Sequence, residues 1–166
     1  ELADAATAMD WLQNQHPASS ECWIAGFSFG SWIGMQLMMR RPEITGFISI
    51  SPPASTHDFT FLAPCPVSGL IIQGGENSQV SSDRILQLVD KISKQKGVSI
   101  DVSIIEEANQ FFSAHLDEAI EEVSKYVVPL SHSPYSSYNE SSSESSSYSS
   151  SSESSSYSSS SESSSY

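Results

Sequence analysis

The chain has 166 residues and carries 7 Lys and Arg against 20 Asp and Glu, a net charge of −13. That balance argues against nucleic acid and anionic membrane as partners, because phosphate recognition begins with a basic stripe and Arg40–Arg41 is the only adjacent basic pair. No run of about 18 apolar residues occurs, which speaks against a transmembrane helix. Two cysteines, Cys22 and Cys65, both in apolar surroundings, make no disulfide framework; they read as two inert buried thiols in a reducing cytosol, hence a cytoplasmic protein. The chain begins with Glu1 rather than Met, so the absence of a signal peptide says nothing.

The composition changes near position 130. Residues 131–166 hold 24 serines and no Val, Ile, Leu, Met, Phe or Trp. Such a segment has nothing to bury against the roughly 1–2 kcal/mol per residue that ordering costs, so it is expected to be a disordered low-complexity tail. Its unit is nine residues long, with Glu144, Glu153 and Glu162 in step with Tyr148, Tyr157 and Tyr166. It lacks the inward apolar residue or glycine turn of a β-solenoid. A flexible spacer or phosphorylatable tail is one reading, and expansion of a short tandem repeat is the other. Residues 1–130, with all 7 basic and 16 of the acidic side chains, are the candidate domain.

Leu2, Ala5, Ala6, Met9 and Leu12 fall at helical spacing and predict an amphipathic helix from Leu2 to about Gln15. Cys22–Ala25 reads as a buried strand ended by glycine. Ser31–Met39 is apolar on almost every side, predicting a deeply sunk helix that stops at Arg40–Arg41–Pro42, the arginines complementing its C-terminal end. Gly46–Ile50 is the second strand, residues 54–66 show no period, and residues 69–72 form the third strand. Ile85, Leu88, Val89 and Ile92 predict a helix over Ser82–Lys96, with Gly97 as a left-handed cap. Val98–Ile105 is the fourth strand, and Leu116, Ile120, Val123 and Val127 predict a last helix over about 113–128. Strands that read as continuous apolar runs between helices mean a parallel sheet of about four strands covered on both faces, an α/β domain. Ligands in such sheets bind at the edge formed by the strands' C-terminal ends.

At that edge, after the first strand, lies Gly26-Phe27-Ser28-Phe29-Gly30, a G-x-S-x-G pattern in the strand–turn–helix setting that a nucleophile elbow requires. The glycines are expected because strand and helix approach so closely that a side chain at Gly26 or Gly30 would collide. Ser28 would project its hydroxyl above the sheet, and the backbone N–H of Phe29 would be one donor to a developing oxyanion. The plainer alternative is a Gly/Ser turn with no reactive serine.

Residues 25–34, followed by Arg40-Arg41-Pro42, Ser51-Pro52-Pro53, Phe61-Leu62-Ala63-Pro64-Cys65-Pro66 and residues 69–72, resemble the small bacterial α/β-hydrolases related to dienelactone hydrolases. The resemblance runs from Glu1 to about Val128 and implies the C-terminal half of an α/β-hydrolase fold. It implies esterase-like chemistry on a small-molecule ester or acyl substrate, with no cofactor and no metal. It also implies that strands and helices of an N-terminal half are absent. Cys22–Ala25 is then expected to present an unpaired edge open to self-association, with Trp23, Trp32 and Met35 partly uncovered.

The family's triad runs serine, aspartate, histidine. Carried over by position, the nucleophile falls on Ser28, the acid on Asn77 within Gly74-Gly75-Glu76-Asn77, and the base on Gln110 within Ala108-Asn109-Gln110-Phe111-Phe112. An amide at the base position cannot take a proton from serine at neutral pH, and an amide at the acid position cannot stabilise an imidazolium. His57 and His115 are the candidate surrogate bases, and otherwise read as exposed histidines on polar segments. His57, Asp58 and His115 lack the close spacing of a tetrahedral metal site. The pairs Phe59/Phe61 and Phe111/Phe112 read as core or as lining of an apolar pocket. Three readings stand: an impaired serine hydrolase, a non-catalytic binding scaffold, and a truncated gene product without an evolved function.

Overall fold

The computed structural model describes residues 1–131, the last three by backbone alone, so the expected serine-rich tail lies almost wholly outside the described residues. The elements are α1 (Leu2–Gln15), β1 (Trp23–Phe27), α2 (Phe29–Met38), β2 (Gly46–Ile50), a 3₁₀ turn (Thr60–Leu62), β3 (Gly69–Gly74), α3 (Ser82–Ile92), β4 (Ile100–Ile105) and α4 (Leu116–Ser131). All strand pairs are parallel and lie in the order β1-β2-β3-β4.

Side chains alternate across a strand, and β3 shows the result. Ile71 joins Met9, Met35, Phe47 and Ile85 on the face covered by α1, α2 and α3. Leu70 and Ile72 join Ile105, Phe112 and Ala119 beneath α4. With both faces covered, all six residues of β3 are buried, so it reads in sequence as an uninterrupted apolar run. Each fully buried Leu, Ile or Phe contributes roughly 1.5–3 kcal/mol, so the richer α1–α2–α3 face is where most of the packing stability resides.

Several boundaries differ from expectation, each for a physical reason. β1 continues through Gly26 and Phe27, which pair with Ser49 and Ile50. α2 starts at Phe29, two residues early, because Ser28 alone makes the turn. α3 stops at Ile92, where the Cys65 N–H takes the Ile92 carbonyl at 3.1 Å. Gly97 is left-handed, with φ +85°, but lies in the turn after α3 and does not cap it. β4 begins two residues later than expected, and α4 lies three residues further along the chain.

Arg41, just after α2, is held by acids. It donates to Asp10 at 2.6 Å and Glu43 at 3.0 Å, tying α1 to the turn after α2, and these partners hold its guanidinium well above the ordinary arginine range. Met35 is buried rather than uncovered. Cys65 is a fully buried thiol, but Cys22 is only half-buried; both are unpaired, and burial pushes both thiols up. Among the described residues β1 pairs with β2 alone, which makes it the edge strand expected, but it is not the buried strand that its apolar run suggested: Trp23 and Ile24 are half-buried, and Ala25 and Phe27 are exposed.

Candidate active site

Ser28 occupies the single residue between β1 and α2. Its φ of 48° and ψ of −120° lie in a region that costs a non-glycine residue about 1–3 kcal/mol and persists only where the surroundings enforce it. They do so here. The Ser28 N–H donates to Ile50 C=O at 2.8 Å, and the Ser28 C=O accepts from the Ser31 N–H at 2.9 Å and the Ser31 hydroxyl at 2.6 Å.

A Cβ on Gly26 would lie 2.5 Å from the Gly30 carbonyl oxygen and 2.6 Å from Ser31 Cα, so only glycine lets strand and helix approach this closely. The expectation for Gly30 is corrected: a Cβ there would meet nothing within 4 Å. The Ser28 hydroxyl is not consumed as a helix cap. Phe29, as the first residue of α2, offers one of the N–H groups that a helix leaves without an internal partner, at the positive end of the helix dipole.

The turn after β3 and the loop after β4 are locked together by backbone. A Cβ on Gly74 would lie 2.4 Å from Ala108 O, and one on Gly75 would lie 2.3 Å from Glu106 O. The Gly75 N–H donates to Ile105 O at 2.8 Å and the Glu76 N–H to Ala108 O at 3.0 Å. Asn77 is buried in that turn, where its Oδ1 accepts from the N–H groups of Gln79 at 2.9 Å and Val80 at 3.2 Å. The opposite loop is shaped by Asn109, whose Oδ1 accepts from the Phe111 N–H at 2.9 Å.

Two links tie that loop to the Ser28 turn. Ser51, at the end of β2 with φ 46°, donates its hydroxyl to the Gln110 C=O at 2.9 Å, one residue along from the Ile50 carbonyl that holds Ser28. The Phe27 and Phe111 rings lie 6.0 Å apart. The loops bearing Ser28, Asn77 and Gln110 therefore adjoin at the C-terminal edge of the sheet. Among the described residues no hydrogen bond joins their three side chains. Ser51 is the positioning residue that sequence reasoning passed over; the Ser-Pro-Pro run at a strand end is its only local mark.

The two histidines differ. The His57 ring lies 5.7 Å from that of Phe29 and 4.7 Å from that of Trp32, next to the elbow, with Nδ1 2.9 Å from Thr56 Oγ1. The Trp32 indole N–H donates to Asp58 C=O at 2.9 Å, fastening the loop after β2 to α2. His115, the residue before α4, pairs with Glu118 in the first turn of that helix at 2.8 Å, and that bond raises its pKa. Among the described residues no cluster of three His, Cys, Asp or Glu side chains is arranged to hold a metal ion. Phe59 is buried against Phe61 and lines a cavity, Phe112 is core, and Phe111 is exposed. Among the described residues no helix is long and apolar enough to cross a membrane.

No family model matches the sequence. An uncharacterized protein of Rickettsia prowazekii is 46% identical over 134 residues, which span 78% of this chain and 56% of the relative. A crystal structure from Agrobacterium tumefaciens, of a protein of unknown function described as a putative α/β hydrolase, superposes with a TM-score of 0.76 at 51% identity. That match covers 78% of this chain and 60% of the other. An α/β serine hydrolase homologue from Coxiella burnetii superposes with a TM-score of 0.66 at 25% identity, covering 76% of this chain and 58% of its own. The chain thus spans less than two thirds of the length of each. Its four-stranded parallel sheet, with helices on both faces, has the fold of the α/β-hydrolase superfamily, and its neighbours among solved structures are α/β serine hydrolase-like proteins.

Proposed function

We propose that this edge of the sheet is the machinery of a dienelactone-hydrolase-like serine hydrolase acting on carboxylic esters or related acyl bonds, with turnover impaired by the groups beside the nucleophile. Ser28 stands in the nucleophile position, Asn77 in the acid position and Gln110 in the base position, with the Phe29 N–H as one oxyanion donor. In the intact reaction the base takes the serine proton as Oγ attacks the acyl carbon. The tetrahedral oxyanion is held by N–H donors, the alcohol leaves with that proton, and water releases the acid. The amide of Gln110 has no basic lone pair to take that proton, and loss of the base costs about 10⁶ in kcat in well-studied serine hydrolases. No cofactor is needed for the steps described.

The observation that carries the reading is the strained backbone of Ser28 combined with the Gly26–Gly30 contact. The test is hydrolysis of p-nitrophenyl acetate by the chain and by Ser28→Ala. Equal rates are expected, and robust Ser28-dependent turnover would show that the amides do not limit it and point to His57 or His115 as base.

A second reading, a non-catalytic binding scaffold, is favoured by Asn77. Its Oδ1 is spent on two backbone N–H groups, a structural role that asks for no acid. We further propose a cytoplasmic location, since Cys22 and Cys65 are unpaired, and self-association through the open edge of β1. Sedimentation that shows a concentration-independent monomer would rule out the association.

A further inference from the structure

A cavity of about 320 Å³ lies between the loop after β2 and helix α3, beside the elbow but separate from it. We propose that this cavity binds a small carboxylate carried on an apolar body. The volume falls in the range of small-molecule pockets. One part of its wall is apolar: Phe59 and Ile92 are buried, and Leu88 is half-buried.

The wall also holds two cations, Arg84 and Lys91, two of only 7 basic residues in a chain of net charge −13. They stand seven apart on α3 with Leu88 between them at helical spacing, so one helix face presents charge, apolar surface and charge to the cavity. The Arg84 Nε–H donates to Ala54 C=O at 3.3 Å, which anchors the guanidinium and leaves its two terminal nitrogens for a ligand. Among the described residues neither Arg84 nor Lys91 makes an ion pair.

Among the described residues the acid in the wall, Asp58, makes no ion pair with either cation, so two positive charges face one negative. Its carboxylate accepts from the Thr60 N–H at 2.9 Å and the Thr60 hydroxyl at 2.8 Å, and these bonds hold it below the usual carboxylate range. A carboxylate entering here would meet a guanidinium able to donate two parallel hydrogen bonds, with an ammonium nearby.

The cavity reaches the elbow through His57, which lines it and packs on Phe29, the residue after Ser28. The site goes beyond the hydrolase reading and does not rest on it.

Titration calorimetry on the full chain with 2-naphthoate and 2-naphthamide tests the site. The acid should bind at least tenfold tighter than the amide. Arg84→Gln and Lys91→Gln should each weaken the acid tenfold or more with unchanged circular dichroism, and Arg84→Lys should fall between. Ser28→Ala should bind like the parent, which separates this site from the fate of the hydrolase reading. Equal affinity for acid and amide, no saturable binding of either, or undiminished binding in the Arg84→Gln and Lys91→Gln variants would each overturn it.

Discussion

The turn at Ser28 and the paired loops at Asn77 and Gln110 stand at the same edge of the sheet, after β1, β3 and β4, but they carry different things. At the elbow, backbone and side chain agree: Gly26 admits the close crossing, Ser28 takes the strained turn, and its hydroxyl is left uncapped. At the two loops the backbone is as tightly set, with Gly74 and Gly75 pressed on the 106–109 carbonyls, yet the head groups are amides. The contrast teaches that packing and proton transfer constrain different atoms. Asn and Asp have nearly the same shape, and the Oδ1 acceptor that caps the 77–80 turn exists in both, so the fold does not register a change that chemistry would.

The largest effect expected from this contrast is on turnover. An intact triad exceeds one without its base by about 10⁶ in kcat, and loss of the acid alone accounts for about 10⁴ of that. Gln110→His alone should therefore gain about 10², Asn77→Asp alone nothing measurable, and the pair together the most, up to about 10⁶. Steady-state aryl ester hydrolysis, with Ser28→Ala added to the pair to restore the baseline, measures the series. Equal gains from both single changes would break the assigned roles.

Next come the glycines. Gly26→Ala should destabilise by about 1–3 kcal/mol in urea unfolding, because the new methyl meets backbone that cannot yield. Gly30→Ala, in a helix and in open space, should stabilise by roughly 0.5–1 kcal/mol. Similar losses at both positions would mean that the crossing is tight throughout the motif and not at Gly26 alone.

Asn77 separates structure from chemistry. Asn77→Ala leaves the Gln79 and Val80 N–H groups without their acceptor and should cost about 1–3 kcal/mol, whereas Asn77→Asp keeps the acceptor and should stay close to the parent. The same urea titration reads both, and equal losses would remove the capping role.

The smallest effect is at His115. Its folded pKa is raised by Glu118, so its stabilising contribution is complete below 6.5 and is lost as pH rises through the raised value. Glu118→Gln should return the ring toward 6.5 in an NMR titration and flatten that part of the stability profile.

Much of this architecture is legible in the chain. The apolar runs at residues 46–50 and 69–72 mark strands covered on both faces, and the Gly-x-Ser-x-Gly spacing after the first strand marks the turn. What is not legible depends on distant partners. Ser82–Lys96 looks helical throughout, but the Cys65 N–H, far away in sequence, takes the Ile92 carbonyl where α3 ends. The two elbow glycines look equivalent until the crossing shows that only one of them is crowded. Ser51 reaches Gln110 across 59 positions of chain, and no local pattern foretells it. Arg84 and Lys91 are ordinary surface cations on a helix until the loop after β2 packs beside that helix and makes a cavity.

The central proposal is that Ser28 stands as a nucleophile without the groups that would activate it. Intact-mass spectrometry after exposure to a fluorophosphonate tests this most directly. The chain should stay unmodified for hours, while the Asn77→Asp, Gln110→His variant should gain one adduct, mapped to Ser28, within minutes. An adduct on Ser28 of the unmodified chain at the rate of the variant would contradict the claim.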